Sequence, residues 1–144
     1  MSLRATLLAL LALLFAQPAF AREEITMFDV HVAVERDGDI IVTETISVVA
    51  EGAQIRRGIF RDLPRHFERD GATFAYGYRV LEVERDGREE PYEISTDDNA
   101  YRIRIGDPDV LLEPGRYTFL IRYEVKNQVR YFDGYDEVYW NATG

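Results

Sequence analysis

Cysteine is absent from all 144 residues. Disulfides, thiolate metal sites and cysteine nucleophiles are therefore excluded, and the fold must rest on packing and hydrogen bonding. Histidine occurs only as His31 and His66, and two isolated imidazoles do not make a zinc site. Serine is confined to Ser2, Ser47 and Ser95, and neither Ser47 nor Ser95 sits in a nucleophile elbow. No glycine-rich phosphate loop occurs. Hydrolase, kinase and dinucleotide chemistry thus have no residues to stand on. Lysine occurs once, as Lys126, so almost all positive charge is arginine. Arginine suits fixed, two-pronged pairing with carboxylates, and a GC-rich genome produces the same skew. The net charge is −9. Such a surface repels phosphate backbones, so nucleic acid is excluded as a partner.

What is present begins with a leader. Arg4 supplies a positive start, and Ala5 to Ala16 is an unbroken apolar run. At ~1.5 Å per residue it spans roughly 18 Å, short of a ~30 Å hydrocarbon core. Pro18 breaks the run, Ala19-Phe20-Ala21 offers small residues to a signal peptidase, and charged Arg22-Glu23-Glu24 follow. Residues 1–21 read as a signal peptide, and 22–144 as an exported domain. With 12% aromatic residues, the chain is too rich in core-forming side chains to be disordered.

The mature part alternates with a period of two. Phe28, Val30, Val32 and Val34 share one strand face, Asp37-Gly38 marks a turn, and Ile40 to Val49 returns as the hairpin partner. Residues 51–72, with Gly52, Gly58, Pro64 and Gly71, read as irregular. Phe74, Tyr76, Tyr78 and Val80 resume a strand, and Asp86-Gly87 and Asp97-Asp98-Asn99 make turns. Tyr101, Ile103 and Ile105 form a further inward face, and Tyr117 to Val125 the longest one. A last strand is expected over residues 137–142. The fold class predicted is all-β: an antiparallel β-sandwich, immunoglobulin-like, of about seven or eight strands, with a barrel as the alternative.

Four features carry candidate chemistry. Glu44 falls in register with Val42, Ile46 and Val48, so it points to the core side. A buried carboxylate needs a partner; Arg57 and Arg61 are the candidates for a structural ion pair, the alternative being a solvated Glu44 at an open edge. Arg56, Arg57, Arg61 and Arg65, with Arg69, form a basic cluster that suits an anionic lipid, polymer or acidic partner. The competing reading is a solvated loop with internal ion pairs. Asp97, Asp98, Asn99, Asp107, Asp109, Asp133 and Asp136 offer oxygen ligands, but without EF-hand spacing, and these residues favour turns anyway. No metal and no cofactor is expected. Tyr135, Tyr139 and Trp140, beside Tyr131 and Phe132, make an aromatic patch for contact with glycan, peptide or a membrane interface, or for packing. Asn141-Ala142-Thr143 has the spacing of a glycosylation sequon, which matters only in a eukaryotic secretory pathway.

Five blocks in order carry a resemblance: Phe28-Asp29-Val30 with Asp37-Gly38 and Val42-Thr43-Glu44; Arg57-Gly58-Ile59-Phe60-Arg61-Asp62-Leu63-Pro64; Ile105-Gly106-Asp107-Pro108-Asp109; Gly115 to Tyr123; and Asp136-Glu137-Val138-Tyr139-Trp140-Asn141. Together they resemble the amino-terminal region of the YciQ-like predicted membrane proteins, domain of unknown function family 2207. The resemblance implies an extracytoplasmic β region on the outer face of the bacterial cytoplasmic membrane, anchored by segments beyond residue 144. It lends no catalytic residues. The expected role is a non-catalytic interaction or sensing module. Its expected partners are the downstream membrane region of its own full-length chain and an envelope protein, lipid or polymer. The rivals are a structural spacer and a carboxylate-based glycan hydrolase using Glu44, which would need a second carboxylate across a cleft.

Overall fold

The computed structural model describes residues 22–142. The leader expected over residues 1–21 and Thr143, the last sequon position, lie outside them. The described chain is strand and turn throughout. In order, β1 spans Glu24–Val34, β2 Ile40–Ala50, β3 Ile59–Pro64, β4 His66–Arg69, β5 Ala72–Ala75, β6 Tyr78–Arg85, β7 Arg88–Glu89, β8 Tyr92–Thr96, β9 Ala100–Ile105, β10 Gly115–Val125, β11 Val129–Phe132 and β12 Tyr135–Val138. Every pairing is antiparallel.

Two larger sheets form the body. The first has the order β1-β2-β10-β6-β7 and the second β3-β9-β8; β4-β5 and β11-β12 are separate hairpins. The reason is the period-two pattern. Along β2, Ile40, Val42, Ile46, Val48 and Ala50 are buried, and along β10, Phe119, Ile121, Tyr123 and Val125. Leu63, Ile103 and Ile105 of the second sheet join the same hydrophobic cluster, so both sheets share one core. Burying this many large side chains at about 1.5–3 kcal/mol each supplies the main driving force. No strand pairing joins the two sheets among the described residues, so they do not close into a barrel.

Two glycines set the approach of β3 to β9. A Cβ on Gly58 (φ +128°) would lie 1.8 Å from the Ile105 carbonyl oxygen, and one on Gly106 (φ +120°) 1.9 Å from that of Arg57. Only glycine permits this crossing.

Several expectations are corrected. There are twelve strands among the described residues rather than seven or eight, because the short hairpins add to the body. Residues 51–72 are not wholly irregular, since β3 and β4 lie within them. Pro64 ends β3, an edge strand of its sheet, where a missing N–H is tolerated. Phe74 to Val80 is not one strand. It breaks at Tyr76-Gly77, where the Tyr76 N–H bonds to the Arg65 carbonyl (2.9 Å) and the Lys126 N–H to the Gly77 carbonyl (3.0 Å). The last strand is β12, which starts earlier than expected and leaves Trp140 outside it.

Candidate functional site

Glu44 sits at the middle of β2 with no exposed surface. The alternation that buries Val42 and Ile46 drives it inwards, and β3 brings its partner from the facing sheet. Arg61 Nε donates to Glu44 Oε2 at 2.6 Å, and Arg61 Nη2 to Oε1 at 3.0 Å. Tyr123, on β10, donates its hydroxyl to Oε1 at 2.7 Å. The remaining Arg61 nitrogen, Nη1, donates to the Asp62 carbonyl at 2.8 Å. The Phe28 ring lies over the guanidinium, its centre 5.5 Å from Cζ. Burial works against the charge on Arg61, yet the hydrogen bonds and charge of Glu44 hold its pKa above the ordinary value. Burial pushes the Tyr123 phenol up, and the Glu44 charge pushes it further, so it stays protonated and donating. Three donors from two sheets thus converge on one carboxylate, in the two-pronged geometry that makes such bonds strong.

Arg57, the other candidate for this pair, is exposed and lies before β3 starts. The inward positions of β3 are Ile59, Arg61 and Leu63, which decides between the two arginines.

Above the pair lies a groove of about 670 Å³. Its walls are the inner faces of β1 and β2 (Ile25, Phe28, Ile46, Val48) and the start of β3 (Ile59, Phe60), with Arg61 reaching its surface and Glu44 sealed beneath. Among the described residues β1 and β3 are both edge strands of their sheets, and the groove opens between them. A smaller cleft of about 270 Å³ continues it past Gly58 to Arg56, Arg57 and Arg104.

The five arginines expected to form one basic cluster do not. Arg61 is consumed by Glu44. Arg65 Nη1 donates to the Asp97 carbonyl at 2.5 Å, and Arg69 lies over the Phe67 ring at 5.2 Å. Arg56 and Arg57 alone remain exposed without a side-chain partner among the described residues. The aromatic trio also splits. Trp140 packs edge-on against Tyr76 (5.9 Å) and beside Tyr123 (6.3 Å), covering the core. Tyr135 stacks on Phe132 at the tip of the β11-β12 hairpin (4.9 Å), and Tyr139 is exposed.

The aspartates at the turns act as local caps. The Asp97 carboxylate accepts the N–H groups of Asn99 and Ala100 (2.8 and 2.7 Å), and Asp107 that of Asp109 (2.8 Å). No group of three or more His, Asp or Glu gathers to hold a metal among the described residues.

Two arrangements escaped the sequence reading. Glu23 lies at the groove, and its carboxylate accepts backbone N–H groups from Glu51, Ala53, Gln54 and Ile55, the shortest at 2.6 Å. Desolvation opposes ionisation there, but these four donors outweigh it and lower the pKa. Lys126 bridges Asp39 (2.5 Å) and Glu124 (3.1 Å), while Arg79 clamps Glu124 (3.0 and 2.8 Å). A lone lysine was the one signal for this network.

The class follows from these features: an all-β, antiparallel domain whose polar residues are spent on holding its layers together around an open groove. The family model described as "Predicted membrane protein (DUF2207) N-terminal domain" matches residues 24–144, and the chain belongs to that family. It is 35% identical over 123 residues, 85% of its own length, to "Uncharacterized protein YciQ" of Escherichia coli (strain K12). The chain spans 20% of the length of that curated relative. No solved structure matches the chain. Among the described residues no helix is long and apolar enough to cross a membrane.

Proposed function

We propose that the chain is the non-catalytic, extracytoplasmic interaction module of a bacterial membrane protein, and that it acts by docking a partner in the groove between β1 and β3. The groove carries this reading. It is a trough of about 670 Å³, apolar along Ile25, Phe28, Ile46, Val48 and Ile59 and rimmed by Glu23, Glu24, Arg61 and Asp62, between strands that are edges among the described residues, the setting in which proteins add an extended partner. Export is supported by the leader pattern of Arg4, Ala5 to Ala16 and Ala19-Phe20-Ala21. Binding is favoured over catalysis because the buried carboxylate of Glu44 faces three donors and lies beneath Arg61, away from anything held in the groove.

The layers are immunoglobulin-like in this reading, with one exchange. Leaving the short hairpins aside, β10 takes the place beside the second strand that the fifth holds in an immunoglobulin domain, and β8 takes the place of the seventh. A spacer that packs on the rest of its own full-length chain is the second reading. The exposed aromatics Tyr131, Tyr135 and Tyr139 favour it, and it predicts a higher Tm when downstream sequence is restored.

Because the chain has no cysteine, one introduced into it tests location, with the unsubstituted protein as the background for labelling elsewhere. Ser95→Cys, on the exposed strand β8, is placed in the native protein, and cells are treated with a maleimide that cannot cross the cytoplasmic membrane. Labelling without permeabilising that membrane is expected. Labelling only after permeabilisation would overturn the outer-face reading.

A further inference from the structure

We infer that the partner held in the groove is an extended peptide carrying acidic residues at one end, added as a strand to the free edge of β3. The inference rests on the docking role proposed above and names the chemistry of the occupant. Three independent observations converge on it.

The first is backbone. The Asp62 and Pro64 carbonyls point away from β9, because they accept Arg61 Nη1 (2.8 Å) and the Tyr78 hydroxyl (2.7 Å). In an antiparallel strand, residues two apart present their N–H and C=O groups on the same side. Phe60 therefore turns both groups outward, as Asp62 does its N–H, and only the carbonyls further along β3 are capped. A short stretch of ladder is open at Phe60 to Asp62, where the groove is.

The second is the missing layer. Arg61 and Leu63 of β3 pack beneath β2, and β3 is the last strand of its sheet. The inner side chains of β1 at the groove are covered only in part: the Phe28 ring faces Arg61 of β3, while Ile25 is 61% exposed. One added strand would extend the second sheet under β1 and cover them, its alternate side chains apolar towards the groove.

The third is charge. On the neighbouring strands Arg61, Arg102 and Arg104 are paired with Glu44, Asp62 and Glu93. Arg56 and Arg57, at the mouth where the groove runs into the smaller cleft, are in no ion pair among the described residues. In a protein of net charge −9, two unpaired guanidinium groups beside an open edge select an acidic residue on whatever enters.

The test uses NMR amide signals of the chain and a terminally blocked peptide of alternating valine and threonine with an aspartate pair at one end. The same peptide with a lysine pair is the control. The aspartate peptide is expected to shift the Phe60 and Asp62 amides, slow their exchange, and bind at least about tenfold more tightly than the lysine peptide. Phe60→Pro removes an outward N–H without touching the β3-β9 ladder and should abolish binding. Arg56→Glu with Arg57→Glu, both at exposed positions, should weaken it by about tenfold or more and serves if the proline variant misfolds. Four results would overturn the inference: no shift with either peptide; equal binding of both; groove shifts with dodecanoate or phosphatidylglycerol vesicles but not with peptide; or the same shifts on raising protein concentration alone, which would mean a second copy. None of these bears on labelling of Ser95→Cys, so the occupant can fail while the outer-face reading stands.

Discussion

Replacing Glu44 by glutamine changes one oxygen to an NH₂ group and nothing in shape. Its cost follows from the geometry. Oε2 faces Arg61 Nε at 2.6 Å, and Oε1 faces both Arg61 Nη2 (3.0 Å) and the Tyr123 hydroxyl (2.7 Å). In either amide orientation a donor meets a donor, and a buried guanidinium loses its counter-charge. Breaking one side of a buried pair costs about 3–5 kcal/mol. For a domain of this size that is a fall in Tm of roughly 10–20 °C. Thermal unfolding followed by circular dichroism reads it directly. The triple replacement Glu44→Leu, Arg61→Leu, Tyr123→Phe removes every charge and donor together and should cost less than the single glutamine, because no buried group is left unpaired. A Glu44→Gln protein melting within about 3 °C of the wild type would refute the claim that this pair joins the sheets.

Other consequences are as specific. Gly58→Ala drives a Cβ into the Ile105 carbonyl at a positive φ and should destabilise by on the order of 3 kcal/mol, measured by urea unfolding. Glu23→Gln should speed amide exchange at Glu51, Ala53, Gln54 and Ile55 severalfold while leaving the exchange of the β2 and β10 core amides unchanged, since only the loop loses its anchor. The hydrogen bonds from Arg79 and then Lys126 hold the Glu124 carboxyl down at about 2, from an ordinary value of 4.5, and Lys126 likewise lowers Asp39. A lowered folded pKa stabilises fully above the unfolded value and loses that contribution as pH falls. Stability should therefore drop between pH of about 4.5 and 2, and less steeply in Lys126→Met, as read by urea midpoints across that range.

Much of the body was legible because alternation encodes burial. β2 buries every second residue, and β10 buries Phe119, Ile121, Tyr123 and Val125, with Glu124 buried among them; Glu44 stood out as the one charged residue in the inward register of β2. The choice of Arg61 over Arg57 was also present, in the alternation of Ile59, Arg61 and Leu63, but Gly58 and Pro64 at its ends disguised six residues of strand as loop. Sequence proximity left two readings of the basic cluster open because it says nothing about which arginine turns inwards; the buried carboxylate of Glu44 takes its central member, Arg61. Trp140 was left between contact and packing because its partners, Tyr76 and Tyr123, come from distant segments. The groove had no signal at all. It exists because β3 ends its sheet beneath β2 while β1 continues the other, a fact of strand order rather than of any residue.

The docking account is tested most directly by asking whether the groove is covered in the native protein. Ile25→Cys places a thiol on the exposed groove wall, Ser95→Cys serves as the reference on β8, and the unsubstituted protein gives the background. Maleimide labelling rates are compared between the isolated domain and the native protein in its own membranes. The account predicts that the Ile25→Cys thiol is slowed severalfold in membranes relative to Ser95→Cys, and that Phe60→Pro restores its rate. Equal rates for both thiols in both settings would contradict it, leaving an open groove that nothing enters.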